Sequence, residues 1–145
     1  MSRYFEEIEV GETASFGEYV MEREEMVSFA EQFDPQPFHL DEAAAAESMF
    51  GGLVASGWHT ASATMRMLVE NYFADSRALG AAGVDDLRFP APVRPGDELS
   101  VETVVQDKSA WDEARGLVES EVTTSIEDGT TVLTMVGKVL WEREP

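Results

Sequence analysis

Apolar residues at Met26, Phe29, Ala30 and Phe33 recur at i, i+3, i+4 and i+7, the spacing that lines one face of a short helix. Asp34 followed by Pro35 predicts its end, because a residue before proline is pushed out of the helical region. Asp41 then stands as the N-cap of an Ala-rich helix that begins at Glu42 and closes at Gly51-Gly52. A longer helix is predicted from about Gly57 to Phe73. There Trp58, Ala61, Met65, Leu68 and Tyr72 keep helical spacing, and Arg66 and Glu70 are the only charges. So nearly uncharged a helix is expected to be wrapped by other structure, and at 1.5 Å per residue its length of roughly 24 Å would cross a small sheet.

The rest of the chain supplies that sheet. Residues 84–88, 98–107, 115–125 and 130–141 are rich in Val, Thr, Leu and Ile, with turn signals at Pro95-Gly96-Asp97 and Asp128-Gly129. In the last run Leu133, Met135, Val139 and Trp141 share one face, with Thr134 and Lys138 on the other. Short runs from Tyr4 to Val20, broken at Gly11 and Gly17, fit one or two further extended segments. Helices first and then an antiparallel meander make an α+β layout, with a helix against one sheet. No repeat or linker divides the chain, so one domain over residues 1–145 is expected.

Charge narrows the partners. Twenty-nine acidic residues against ten basic give a net charge of −19, which makes nucleic acid a poor partner because phosphates supply most of the attraction in such complexes. The charge reads either as a plain solvated acidic surface or, more sharply, as one suited to a high-salt cytoplasm, where a Debye length of roughly 3 Å at 1 M suppresses self-repulsion. The first residues carry no positive-then-apolar run, and the uncharged stretch 48–65 is broken by glycines and polar residues, so a cytoplasmic protein without a membrane span is expected. With no cysteine there is no disulfide, thiolate metal site or cysteine nucleophile, and two histidines are few for zinc.

Candidate chemistry concentrates in Asp34-Pro35-Gln36-Pro37-Phe38-His39. Two prolines stiffen the loop between a carboxylate and an imidazole, which can hold both groups near one water. A surface imidazole beside an Asx-type turn is the plainer reading of the same residues. The segment Gly52 to Gly57 has glycines at phosphate-loop spacing, but Trp58-His59 replaces the required Lys-Ser/Thr, and Ser56 lacks the glycine two places earlier that a nucleophile elbow has.

The hydratase-like loop, the Gly-rich segment Gly51-Gly52-Leu53-Val54-Ala55-Ser56-Gly57, the buried helix after it and Phe89-Pro90-Ala91-Pro92-Val93-Arg94-Pro95-Gly96-Asp97 together resemble the MaoC-like dehydratases and (R)-specific enoyl-CoA hydratases. The resemblance implies a hot-dog fold, an antiparallel sheet wrapped around a long central helix, with two protomers pairing their sheets in a homodimer. It implies interconversion of trans-2-enoyl and (R)-3-hydroxyacyl thioesters of coenzyme A or acyl carrier protein, without a cofactor beyond the coenzyme A of the substrate. Asp34 and His39 match the family's catalytic pair and Gly57 its oxyanion-hole glycine. A backbone N–H at a helix N-terminus suits that last role.

Two positions depart from the family pattern: many relatives carry Asn where Gln36 stands and His where Ser56 stands. Gln36, Ser56, Trp58, Met49 and Phe50 are candidate substrate contacts, the last two and Trp58 as acyl-channel residues or plain core. Arg88 and Arg94 either meet coenzyme A phosphates or solubilise turns. Arg66 pairs with an acidic residue or faces the ligand, and His59, one turn into the long helix, is assigned to packing. A hot-dog thioesterase and a non-catalytic acyl-binding subunit stand as alternatives.

Overall fold

The computed structural model describes residues 2–145. A turn of 3-10 helix, Phe5–Glu7, leads into β1 (Thr13–Val20), followed by α1 (Arg23–Phe33), α2 (Pro37–Leu40), α3 (Glu42–Ala46) and α4 (Gly57–Leu68). Strands β2 (Ala78–Arg88), β3 (Glu98–Ala110), β4 (Arg115–Ser125) and β5 (Thr131–Glu142) complete the chain. The sheet is antiparallel with strand order β1-β3-β4-β5-β2.

β3, β4 and β5 form the expected meander, whereas β2 does not lie beside β3. It crosses the sheet to pair with β5, leaving β1 and β2 as the two edges. It is also longer than residues 84–88, because Ala78 to Gly83 join the ladder. That Ala- and Gly-rich stretch has few of the β-branched side chains by which a strand is read from sequence.

The helices depart from expectation in three places. Pro37 to Leu40 form a helical turn where a loop was expected, with Pro37 at the first position, where its missing N–H costs nothing. Asp41 caps α3 as predicted, accepting from Ala44 N, yet α3 ends at Ala46 rather than at Gly51-Gly52. Beyond Leu68 the long helix widens into a π-helical turn, Val69–Phe73, with Ala74 N bonding Val69 O at 2.8 Å.

The core lies between α4 and the concave face of the sheet. Ala63, Met67 and Leu68 of α4 pack with Leu99, Val101, Val122, Leu133 and Met135, so the alternation read in β5 places the right residues inward. Gly17 marks the close crossing of β1 over α4: its φ is 108°, and a Cβ there would meet the Met67 sulfur at 2.5 Å. α4 is not wrapped all round. Trp58, Met65 and Val69 are exposed along one flank, and Leu79 and Val84 on the edge strand β2 are exposed as well.

Candidate active site

Asp34 is the C-cap of α1, its N–H bonding Ala30 O at 2.9 Å, and His39 sits on the one-turn α2 five residues later. The two prolines hold this reversal so that His39 Nε2 lies 3.2 Å from Asp34 Oδ2. His39 is buried, and the Asp34 side chain retains 18% exposure. His39 Nδ1 is 2.7 Å from the Val54 carbonyl oxygen. A carbonyl only accepts, so in the neutral ring Nδ1 carries the hydrogen and Nε2 presents its lone pair toward Asp34.

Two donors orient the Asp34 carboxylate. Gln36 Nε2 donates to Oδ1 at 2.6 Å, Ser56 Oγ donates to Oδ2 at 2.7 Å, and His39 stands beside Oδ2. Burial works to raise the Asp34 pKa, but the hydrogen bonds from Gln36 and Ser56 outweigh it and hold the carboxyl below its ordinary range. Ser56 is fully buried and is also the N-cap of α4, accepting from Trp58 N at 3.2 Å. One hydroxyl therefore ties the start of α4 to the acid.

Gly57 is the first residue of α4, where a backbone N–H has no partner within the helix. A Cβ at Gly57 would meet the Phe89 ring at 2.5 to 2.7 Å, so the glycine also lets Phe89 close over the helix start. Gly57 and His39 line one cavity of about 380 Å³, with Phe38, Phe50, Val54 and Pro90 among its walls.

The structure brings Asp34, Gln36, His39 and Ser56 into one cluster beside Gly57. Phe50 lines the cavity and packs on Phe38, with ring centroids 5.2 Å apart, while Met49, 90% exposed, stands at the mouth. Trp58 is not a wall of the cavity: it points outward and meets Phe89 edge-on at 6.3 Å. Arg88 is also elsewhere, in a surface depression with Asp86, Gln106 and Glu121. Strand alternation sends it to the opposite face of the sheet. Arg94 stays at the rim, donating to Phe50 O at 2.7 Å. Arg66 pairs with Glu70 at 2.6 Å on the exposed side of α4.

Sequence reasoning did not anticipate the Val54 carbonyl, which sets the tautomer of His39, or the Ser56 link to Asp34. The first is a backbone group and carries no residue signal. The second could have been sought, since Ser is a strong N-cap residue and its hydroxyl retains donor capacity while capping. Among the described residues, no group of three or more His, Cys, Asp or Glu side chains is placed to hold a metal ion. No described helix is long and apolar enough to cross a membrane.

A five-stranded antiparallel sheet curved over one helix, with an Asp/His pair facing a glycine at the helix start, defines a hot-dog protein of the dehydratase type. The family model described as MaoC like domain matches residues 6–127, and the chain belongs to that family. It is similar to the solved MaoC-like dehydratase from Rhodospirillum rubrum, at 40% identity and TM-score 0.91 over 99% of each chain. The R-hydratase PhaJ1 from Pseudomonas aeruginosa is 25% identical with TM-score 0.73, over 97% of this chain and 86% of that one. The 3-hydroxybutyryl-CoA dehydratase of Methylorubrum extorquens is 35% identical over 108 residues, 72% of this chain. The match spans 64% of that dehydratase, just under two thirds of its length.

Proposed function

We propose that the chain is a hydratase/dehydratase that interconverts trans-2-enoyl and (R)-3-hydroxyacyl thioesters, with Asp34 and His39 as its acid-base pair and Gly57 as its oxyanion donor. The observation that carries the reading is the 3.2 Å approach of two acceptors, Asp34 Oδ2 and His39 Nε2, beside the cavity that Gly57 lines. A water donating one hydrogen to each would turn an oxygen lone pair toward the substrate. As that oxygen bonds C3, the C2–C3 π pair moves toward the thioester carbonyl, and Gly57 N–H bonds the oxygen that gathers charge. The proton taken from water is returned by the same pair to C2, and the overall change is addition of one water. The scheme uses only groups of the chain itself, with coenzyme A entering as part of the substrate.

Two further features support an acyl thioester. The cavity of about 380 Å³ beside Gly57 is walled largely by apolar side chains, among them Phe38, Phe50, Val54, Phe89 and Val132, which suits an acyl group. The rim arginine Arg94 has four N–H groups beyond the one on Phe50 O, and it suits the phosphates of coenzyme A. The open flank of α4 and the β2 edge fit pairing with a second copy, which would cover Leu79, Val84 and Met65.

Loss of enoyl absorbance with trans-2-enoyl-CoAs, without thiol release and abolished by Asp34→Asn, is the expected result. Thiol release from saturated acyl-CoA instead would move the reading to a thioesterase.

A further inference from the structure

His59 is the second of the two histidines, and the acid-base scheme leaves it unused. It lies in the first turn of α4, 4% exposed, with its ring stacked flat on Phe29 at 4.8 Å and 9°. Its Nε2 is 3.1 Å from Glu25 Oε1, and that same oxygen accepts from the Tyr19 hydroxyl. Tyr19 belongs to β1, Glu25 and Phe29 to α1, and His59 to α4, so three elements meet at one carboxylate.

The placement bears directly on the site. α1 carries Glu25 near its start and Asp34 at its C-cap, while α4 carries Ser56 and Gly57 immediately before His59. The His59 N–H bonds the Ser56 carbonyl at 2.9 Å, and the Ser56 hydroxyl bonds Asp34 at 2.7 Å. α1 and α4 are thus pinned twice, once at the acid and once at Glu25–His59. A shift of the first turn of α4 would displace Ser56 and Gly57 relative to Asp34. Displacements near 1 Å can lower rates about a hundredfold.

We propose that His59 is a positioning residue of the catalytic site, which acts through Glu25 to hold the first turn of α4, and with it Ser56 and Gly57, in register with Asp34. Packing alone would be served by any flat ring on Phe29, and the Glu25 bond is what a plain core aromatic lacks. The neutral ring fits the contacts: Nε2–H donates to Glu25, and Nδ1, buried without a hydrogen-bond partner, is then a bare lone pair rather than an unpaired N–H. Burial lowers the His59 pKa, opposed in part by Glu25, which agrees with that form.

The kinetic arm of the test rests on the hydratase reading; a spectroscopic arm does not. His59→Phe keeps the stack on Phe29 and removes the bond to Glu25, whereas His59→Gln restores an N–H toward Glu25. In His59→Phe, kcat for trans-2-enoyl-CoA is expected to fall about tenfold with KM within about twofold, and His59→Gln should recover to within about threefold of wild type. In both variants His39 is the only histidine left, so its imidazole ¹⁵N signals read the Asp34–His39 pair without substrate. They should shift in His59→Phe and return in His59→Gln. A lowered Tm with wild-type kcat and unshifted His39 signals would overturn the proposal.

Should the wild type turn over no enoyl thioester, the hydratase reading fails and the His39 signals decide positioning alone. Should His59→Phe not fold, Glu25→Ala removes the same bond from a half-exposed position, with the same kcat loss and His39 shift expected. Wild-type kcat and His39 signals in a folded Glu25→Ala would equally overturn it.

Discussion

Ser56→Ala removes one oxygen atom on which two structures depend. The hydroxyl caps α4 by accepting from Trp58 N at 3.2 Å, and it donates to Asp34 Oδ2 at 2.7 Å. Loss of a cap costs about 1 kcal/mol, and a hydrogen bond to a charged group is worth about 1.5–3 kcal/mol. Ser56 itself is fully buried, whereas the Asp34 side chain keeps 18% exposure, so water offsets part of the second loss. Because one hydroxyl serves both, the terms overlap, and a loss of about 2 kcal/mol, or about 4–8 °C in Tm for a chain of this size, is expected.

The variant should also change the pH dependence. The Asp34 carboxyl is held below its ordinary range partly by this bond, against the opposing effect of burial. Removing the bond leaves burial in place, so the Asp34 pKa rises and the acidic limb of kcat/KM moves to higher pH. The stability difference should follow the same sign. A depressed carboxyl contributes stability that is present above its unfolded value of about 3.9 and lost as pH falls through the folded value. The gap between wild type and Ser56→Ala should therefore narrow in acid below that range. Thermal melts from pH 7 to pH 3 and a kcat/KM profile test both. A lowered Tm with an unmoved acidic limb would refute the coupling and leave Ser56 as a cap alone.

Further expectations follow from individual contacts. Gly57→Ala places a Cβ against the Phe89 ring, and overpacking of this kind costs about 1–3 kcal/mol; Tm should partly recover in Gly57→Ala/Phe89→Ala, and no recovery would show that the clash is not the cause. Arg94→Ala should raise KM for coenzyme A thioesters several-fold and leave pantetheine thioesters unchanged, while Arg88→Ala, on the other face of the sheet, should change neither; equal effects on both substrates would count against a phosphate contact. With a net charge of −19, activity on anionic coenzyme A substrates should rise as salt shortens the Debye length from about 10 Å at 0.1 M to about 3 Å at 1 M. A flat or falling profile would contradict that expectation.

Much of the site is local in the chain, and so it was legible. Asp34, Gln36 and His39 lie within six residues, and the prolines between them announce a fixed reversal. The meander β3-β4-β5 was legible for a similar reason, since its hairpin neighbours are joined by short turns, the β4–β5 one with Gly129 at positive φ. What escaped depends on contacts far apart in sequence. The crossing of β2 to β5 brings Asp85 opposite Val136, and nothing in its Ala- and Gly-rich first half signals a partner. The Glu25–His59 and Asp34–Ser56 bonds join residues 34 and 22 positions apart, and no spacing rule reaches that far. Trp58 and Arg88 stand away from the cavity because nearness in sequence to Gly57 and Phe89 does not fix which face a side chain takes; of the two readings open for Arg88, its surface depression favours the solubilising one.

The most direct test of the account is enoyl-thioester absorbance with crotonyl-CoA and longer trans-2-enoyl-CoAs, with free thiol followed in parallel, for wild type and Asp34→Asn at low and molar salt. Absorbance loss without thiol release is expected in wild type, with a rate lowered about 10²–10⁴-fold in a folded Asp34→Asn. No absorbance loss on any chain length, or equal rates in the two proteins, would contradict it.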